Sequence, residues 1–285
     1  MNKFPRTTVG GLSVSRMIIG TNEFIGTSHN TAAKDAFLRE NVKDRKKIAD
    51  IIEVFFKNGI DTIMGEPMRC LILYEAIKEA EQRTGIKAII VGTPGFEVTP
   101  DTPINGFDMG EVEKTMEYYA NRGISFCLPH TSTTDCMVDK CTHTIRQMDK
   151  ICEMARKYKL IPGLSTHVPE SIIYADESGL DVETYISIYN SMGFLMHLEV
   201  DWTSRIIHEA KKPVMTIKPM AAGHIRPFQA FNFVWNTIRE KDMVTVGTVS
   251  PKEAEECIEM SLGILERKYV SQELQETRSK KTIKH

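Results

Sequence analysis

Eight short apolar runs, alternating with longer stretches of helical period, constrain this chain more than any other feature it has. The runs are residues 17–20, 61–64, 88–93, 124–128, 160–165, 184–189, 214–218 and 244–248, each four to six residues long. That is the length of a buried strand, and regular alternation with helices is the pattern of parallel βα units. The helical stretches fall at 44–57, 69–83, 110–121, 143–158, 170–177, 202–211, 227–239 and 251–266. Glycines just past helix ends, at Gly59, Gly85 and Gly123, mark the cut points. Eight units in 285 residues predict a single α/β domain, a (β/α)8 TIM barrel over 1–285, for which about 250 residues is ordinary.

Gly10-Gly11 suits a two-residue turn, so residues 1–16 are expected to form an N-terminal hairpin that plugs the bottom of the barrel. Residues 268–285 read as a polar tail. The segments 21–42 and 93–108 are oversized loops after the first and third strands, on the carboxyl face where barrels carry their chemistry.

Charge excludes several classes of partner. The net charge of -2 and the short basic segments 43–47 and 278–284 give no nucleic-acid patch. No apolar run approaches the roughly 18 residues of a membrane span, and the opening residues lack an apolar leader core, so a cytoplasmic chain is expected. The six cysteines are then reduced. Cys136, Cys141 and His143 lie close in sequence but lack a second half at finger-like spacing, and read as free thiols near a loop.

The run Val9-Gly-Gly-Leu-Ser-Val-Ser-Arg-Met-Ile-Ile-Gly-Thr21 resembles the hairpin and first strand of aldo-keto reductases. The likeness continues through Gly59-Ile-Asp-Thr62, Leu164-Ser165, Tyr189-Asn190, Lys218-Pro-Met-Ala-Ala-Gly223 and Val246-Gly-Thr-Val-Ser250. It is similar above all to a divergent group within that barrel superfamily, with Asn22-Glu-Phe-Ile-Gly-Thr-Ser-His29 after strand one and Gly163-x-x-x-His167-x-Pro-Glu170 after strand five. The resemblance implies a catalytic tetrad at strand ends, of which Asp61 and His130 are matched. Glu66 stands in place of the Tyr, and Thr93-Pro94 in place of Thr-Lys. A carboxylate ionised at neutral pH donates no proton, so the family's hydride transfer loses its acid. Ser165-Thr166, Ile186 and Ile217 replace the nicotinamide contacts the resemblance calls for, which disfavours NADPH.

The strand-end polar residues are Asn22, His29, Asp61, Glu66, His130, His167, Asn190 and Lys218. Asp61, Glu66, His130 and Lys218 are the catalytic candidates, and Asn22, His167 and Asn190 the substrate-binding ones. His29, His130 and His167 would converge on a divalent Zn, Mn or Fe ion with an open position. Lys218 would form a Schiff base or pair with Asp61 or Glu66. His197 and Glu199 fall in the loop after strand six. The leading expectation is therefore a non-redox, metal-assisted isomerase, epimerase or lyase acting on a small polyhydroxy or keto substrate, as monomer or homo-oligomer. The alternatives are an NADPH-dependent reductase with Glu66 as its acid, and a catalytically inactive binding module.

Overall fold

The eight apolar runs become eight parallel strands in a computed structural model that describes residues 3–66 and 70–269. They are β1 (Met17–Gly20), β2 (Thr62–Gly65), β3 (Ile89–Gly92), β4 (Phe126–Cys127), β5 (Ile161–Pro162 and, beyond Gly163, Leu164–Thr166), β6 (Tyr185–Ile188), β7 (Val214–Ile217) and β8 (Met243–Val246). Each pairs with the next, β8 returns to β1 with Val246 opposite Ile19, and the sheet both begins and ends on β5. The ring is closed. Closure leaves no exposed edge and turns the strand residues alternately inward and outward.

Two apolar clusters follow from that alternation. Ile18, Val91, Phe126, Leu128, Ile186, Met215 and Met243 fill the barrel interior. The larger cluster lies between strands and helices, where Arg45–Lys57 contributes Ile48, Ile51, Ile52, Phe55 and Phe56. These recur at helical spacing behind an Asp44 cap whose side chain accepts from the Lys47 N–H. Burying each such side chain stabilises the fold by about 1.5–3 kcal/mol.

The hairpin is Arg6–Val9 paired antiparallel with Leu12–Ser15, and its turn residues Gly10 and Gly11 have φ of 56° and 81°. Two successive positive φ angles are what a turn matching the strand twist demands, and glycine supplies them without a Cβ clash. Val9 and Val14 pack into the interior cluster, so the hairpin is the floor of the barrel.

The structure corrects three details. β2 starts at Thr62, so Asp61 precedes the strand rather than ending it. The helix expected from 143 begins at Met148, because Val138–Asp139 and Thr144–Ile145 first pair antiparallel. The long segment after β1 contains a helix, Ala32–Asn41, capped by the Thr31 hydroxyl. The expected tail lies outside the described residues from position 270. Among the described residues no helix is long and apolar enough to cross a membrane.

Candidate active site

The loop leaving β1 folds by local hydrogen bonding and one apolar anchor. Phe24 is fully buried, and the Thr21 carbonyl accepts from the Phe24 and Ile25 N–H groups, while the Asn22 carbonyl accepts from Thr27. Ser28 donates from both its N–H and its hydroxyl to Asp35 Oδ1, at 2.7 and 2.6 Å. Asn30 Nδ2 then reaches the Ala222 carbonyl at 3.3 Å, tying this loop to the one that follows β7. These contacts place His29 and Glu23 over the carboxyl ends of the strands.

Glu23 lies against the end of β8. A Cβ on Gly247 would sit 2.5 Å from Glu23 Cδ and 2.6 Å from its Oε1, so residue 247 is a glycine that makes room for a carboxyl from another loop. Burial pushes that carboxyl up to about 7, the charge of Glu253 adds to the rise, and the Lys218 and Lys34 ammoniums oppose it. Lys218 follows β7 with φ of 59°, a left-handed conformation that costs an L-residue roughly 1–2 kcal/mol. Burial pulls its pKa down, against the opposing pull of Glu23. The Lys218 ammonium makes no hydrogen bond or salt bridge among the described residues. A strained backbone that presents an unpartnered, half-desolvated amine is a feature the fold alone does not require.

Around this pair stand the imidazoles. His130 caps the start of a one-turn helix, its Nδ1 accepting from the Ser132 N–H at 3.2 Å and lying 2.9 Å from the Ser132 hydroxyl, and its backbone N–H donates to the Pro94 carbonyl. An imidazole that accepts from a backbone N–H on Nδ1 carries its proton on Nε2. The His167 pKa falls to about 4, first through burial and then through Lys218, His130 and His197, with Asp135 opposing. Burial also lowers that of exposed-edge His29, whose φ is 58°, with help from Lys218 and His130. Asp135 positions this side of the mouth: it accepts from the Thr131 hydroxyl, from the Thr166 hydroxyl at 2.6 Å and from the His167 N–H at 3.0 Å.

No family model and no curated protein matches the sequence. Solved structures do match. A candidate aldo-keto reductase from Pseudomonas aeruginosa superposes at a TM-score of 0.66 with 18% identity, covering 93% of this chain and 98% of its own. Aldose reductase from Giardia lamblia gives a TM-score of 0.50 at 11% identity and 95% of both chains. The chain has the aldo-keto reductase-like barrel fold. A 3-deoxy-D-arabino-heptulosonate 7-phosphate synthase from Thermotoga maritima, with a TM-score of 0.51, 11% identity and coverage of 93% and 92%, shares the general barrel.

In this aldo-keto reductase-like barrel the residues that resembled the tetrad do not assemble. Asp61 lies at the opposite end from the mouth, where its carboxylate pairs with Arg6 of the hairpin at 3.0 Å. The Glu66 carboxylate accepts from the phenol of fully buried Tyr119, whose ring passes over Gly92 with Cζ 2.7 Å from where a Cβ would stand. Gly65, the residue before Glu66, is similarly overlain by Thr21, whose Cβ is 3.1 Å from that position. Asn190 is fully buried and its amide holds the next loop, Oδ1 accepting from the Met192 and Phe194 N–H groups and Nδ2 donating to the Phe194 carbonyl. Substrate binding is thus not what occupies Asn190. Asn22 is exposed at the mouth. Lys218 and His130 lie near enough to both His29 and His167 for their charges to act on them.

Among the described residues no three His, Cys, Asp or Glu side chains are arranged to hold a metal ion. A metal on His130 Nε2 would move the ring proton to Nδ1, against the Ser132 N–H, and the Lys218 cation faces the same ring cluster. Glu23 is the residue that sequence reasoning missed. Its one signal was Gly247 at a strand end, which only the fold connects to it.

Proposed function

We propose that the chain is a barrel enzyme of the lyase or isomerase type that engages a small keto or polyhydroxy substrate through an imine on Lys218. The observation that carries this reading is the Lys218 amine, desolvated, without a hydrogen-bond partner among the described residues and opposed by a carboxyl that titrates near 7. Lysines activated for Schiff-base chemistry are those whose ammonium is destabilised by desolvation.

In the proposed step the neutral amine adds to the carbonyl carbon, forming a C–N bond and a carbinolamine. Protonated Glu23 gives its proton to the departing oxygen, which leaves as water, and the iminium remains. The iminium withdraws electrons from the adjacent carbon. The Glu23 carboxylate, poised near neutral pH, then removes a proton there. His130, whose Nδ1 accepts from the Ser132 N–H, stands beside Lys218 as a polar group for substrate oxygens. That deprotonation leaves an enamine and a protonated Glu23; return of the proton to carbon restores an iminium, water adds to the iminium carbon, and the C–N bond breaks to release the Lys218 amine. Glu66 serves Tyr119 as an acceptor, which gives no support to its acting as the acid of a hydride transfer.

Incubation with dihydroxyacetone or pyruvate and cyanoborohydride, followed by peptide mapping, tests this. One equivalent of reduced adduct on Lys218, absent from K218M, is expected. Labelling spread over surface lysines and unchanged in K218M would overturn it.

A further inference from the structure

We infer that Glu23 is a carboxyl supplied by the chain itself at the place where barrels bind phosphate, so that the substrate reaching Lys218 is unphosphorylated. The inference rests on the Lys218 reading for the reaction but on separate geometry for the subsite.

Barrels frequently hold phosphate between the loops after strands seven and eight and a helix N-terminus. Such a subsite needs an open cradle, free backbone N–H groups and an unneutralised cation. Here β7 ends at Lys218, β8 leads into Gly247, and the helix Pro251–Leu265 begins just beyond. The cradle above Gly247 is filled by the Glu23 carboxyl. The helix start is closed by its own side chains: the Ser250 hydroxyl accepts from the Glu253 N–H at 3.2 Å, and Glu253 Oε2 accepts from the Val249 N–H at 2.7 Å. This reciprocal cap uses donors a phosphate would need and adds a second carboxylate. The charges of Glu23 and Glu253 are close enough to act on each other, and the charge of Lys218 acts on Glu23. An arriving phosphate would displace one carboxyl and face another. The same closure acts against a dinucleotide pyrophosphate.

Inorganic phosphate and pyrophosphate titrated calorimetrically into wild type, E23G and E23Q test the subsite. Wild type should give no saturable binding. E23G, which removes both volume and charge, should bind at least about tenfold tighter, and E23Q, which keeps the volume, should gain less. Saturable phosphate binding by wild type, or an E23G that folds and gains nothing, would overturn the inference. A measurement on wild type alone is independent of that variant's folding: Lys218 should be trapped at least about tenfold faster by dihydroxyacetone than by its phosphate ester. The reverse preference would overturn the inference and leave the imine reading standing. Failure of both ketones to label Lys218 would overturn the imine reading, and the phosphate titration would still decide the subsite.

Discussion

Replacing Lys218 with Met should make the protein more stable while abolishing its chemistry. The side chain keeps its unbranched stem, so packing around β7 changes little. What disappears is a half-desolvated ammonium without a hydrogen-bond partner among the described residues. A buried polar group left unsatisfied costs about 1–3 kcal/mol. The attraction of Glu23 offsets part of that cost, leaving a net gain of about 1 kcal/mol, which in domains of this size range corresponds to roughly 2–4 °C in Tm. The backbone strain at φ 59° persists in K218M, so K218G should add roughly 1–2 kcal/mol more by releasing it. Loss of Lys218 also removes a charge that holds Glu23 down, and the carboxyl should titrate above its wild-type value of about 7. Thermal melts at pH 8, carbon NMR of labelled Glu23 and cyanoborohydride trapping read the three effects. A K218M that melts several degrees lower would refute the reasoning, because Lys218 would then be structural.

Two further outcomes follow from the geometry. D61N removes a partly exposed ion pair with Arg6 at the barrel floor, so it should cost about 1 kcal/mol in a denaturant melt and leave the rate of Lys218 labelling unchanged; a folded but inert D61N would restore Asp61 to the site. His167, with its pKa near 4 in the fold against an ordinary 6.5, binds a proton in the unfolded chain first, so stability should fall as pH drops from 6.5 to 4 and level off below. The shift corresponds to about 3 kcal/mol at most, discounted to about 1–2 kcal/mol for solvent screening of a partly exposed ring, and H167Q should lack that share of the acid loss in urea titrations.

The barrel was legible because strand runs and helix periods are local patterns, and all eight strands stand where apolar runs stood. The candidate site was legible only in part. His130, His167 and Lys218 come within three residues of a strand end, so knowing the strands places them, whereas His29 lies nine residues beyond β1 on a loop. Asp61 was misplaced because a residue-type match shifted it from the start of β2 to its end, and in a barrel those ends are opposite poles. Glu23 escaped because its role depends on a loop folding back across β8, a contact between residues more than two hundred positions apart that no local spacing records.

Gly65 and Gly92, which end β2 and β3, and Gly247, just past β8, carry no side chain of their own and are overlain by guests, Thr21, Tyr119 and Glu23. The strands supply sockets and distant segments supply the plugs. A single methyl at one of these positions would evict one guest while leaving the hydrogen-bonded ring intact. Variation at three codons could therefore rewire the mouth in discrete, separable moves, giving a directed-evolution library a handle on chemistry that the surrounding loops, tied to one another, would resist.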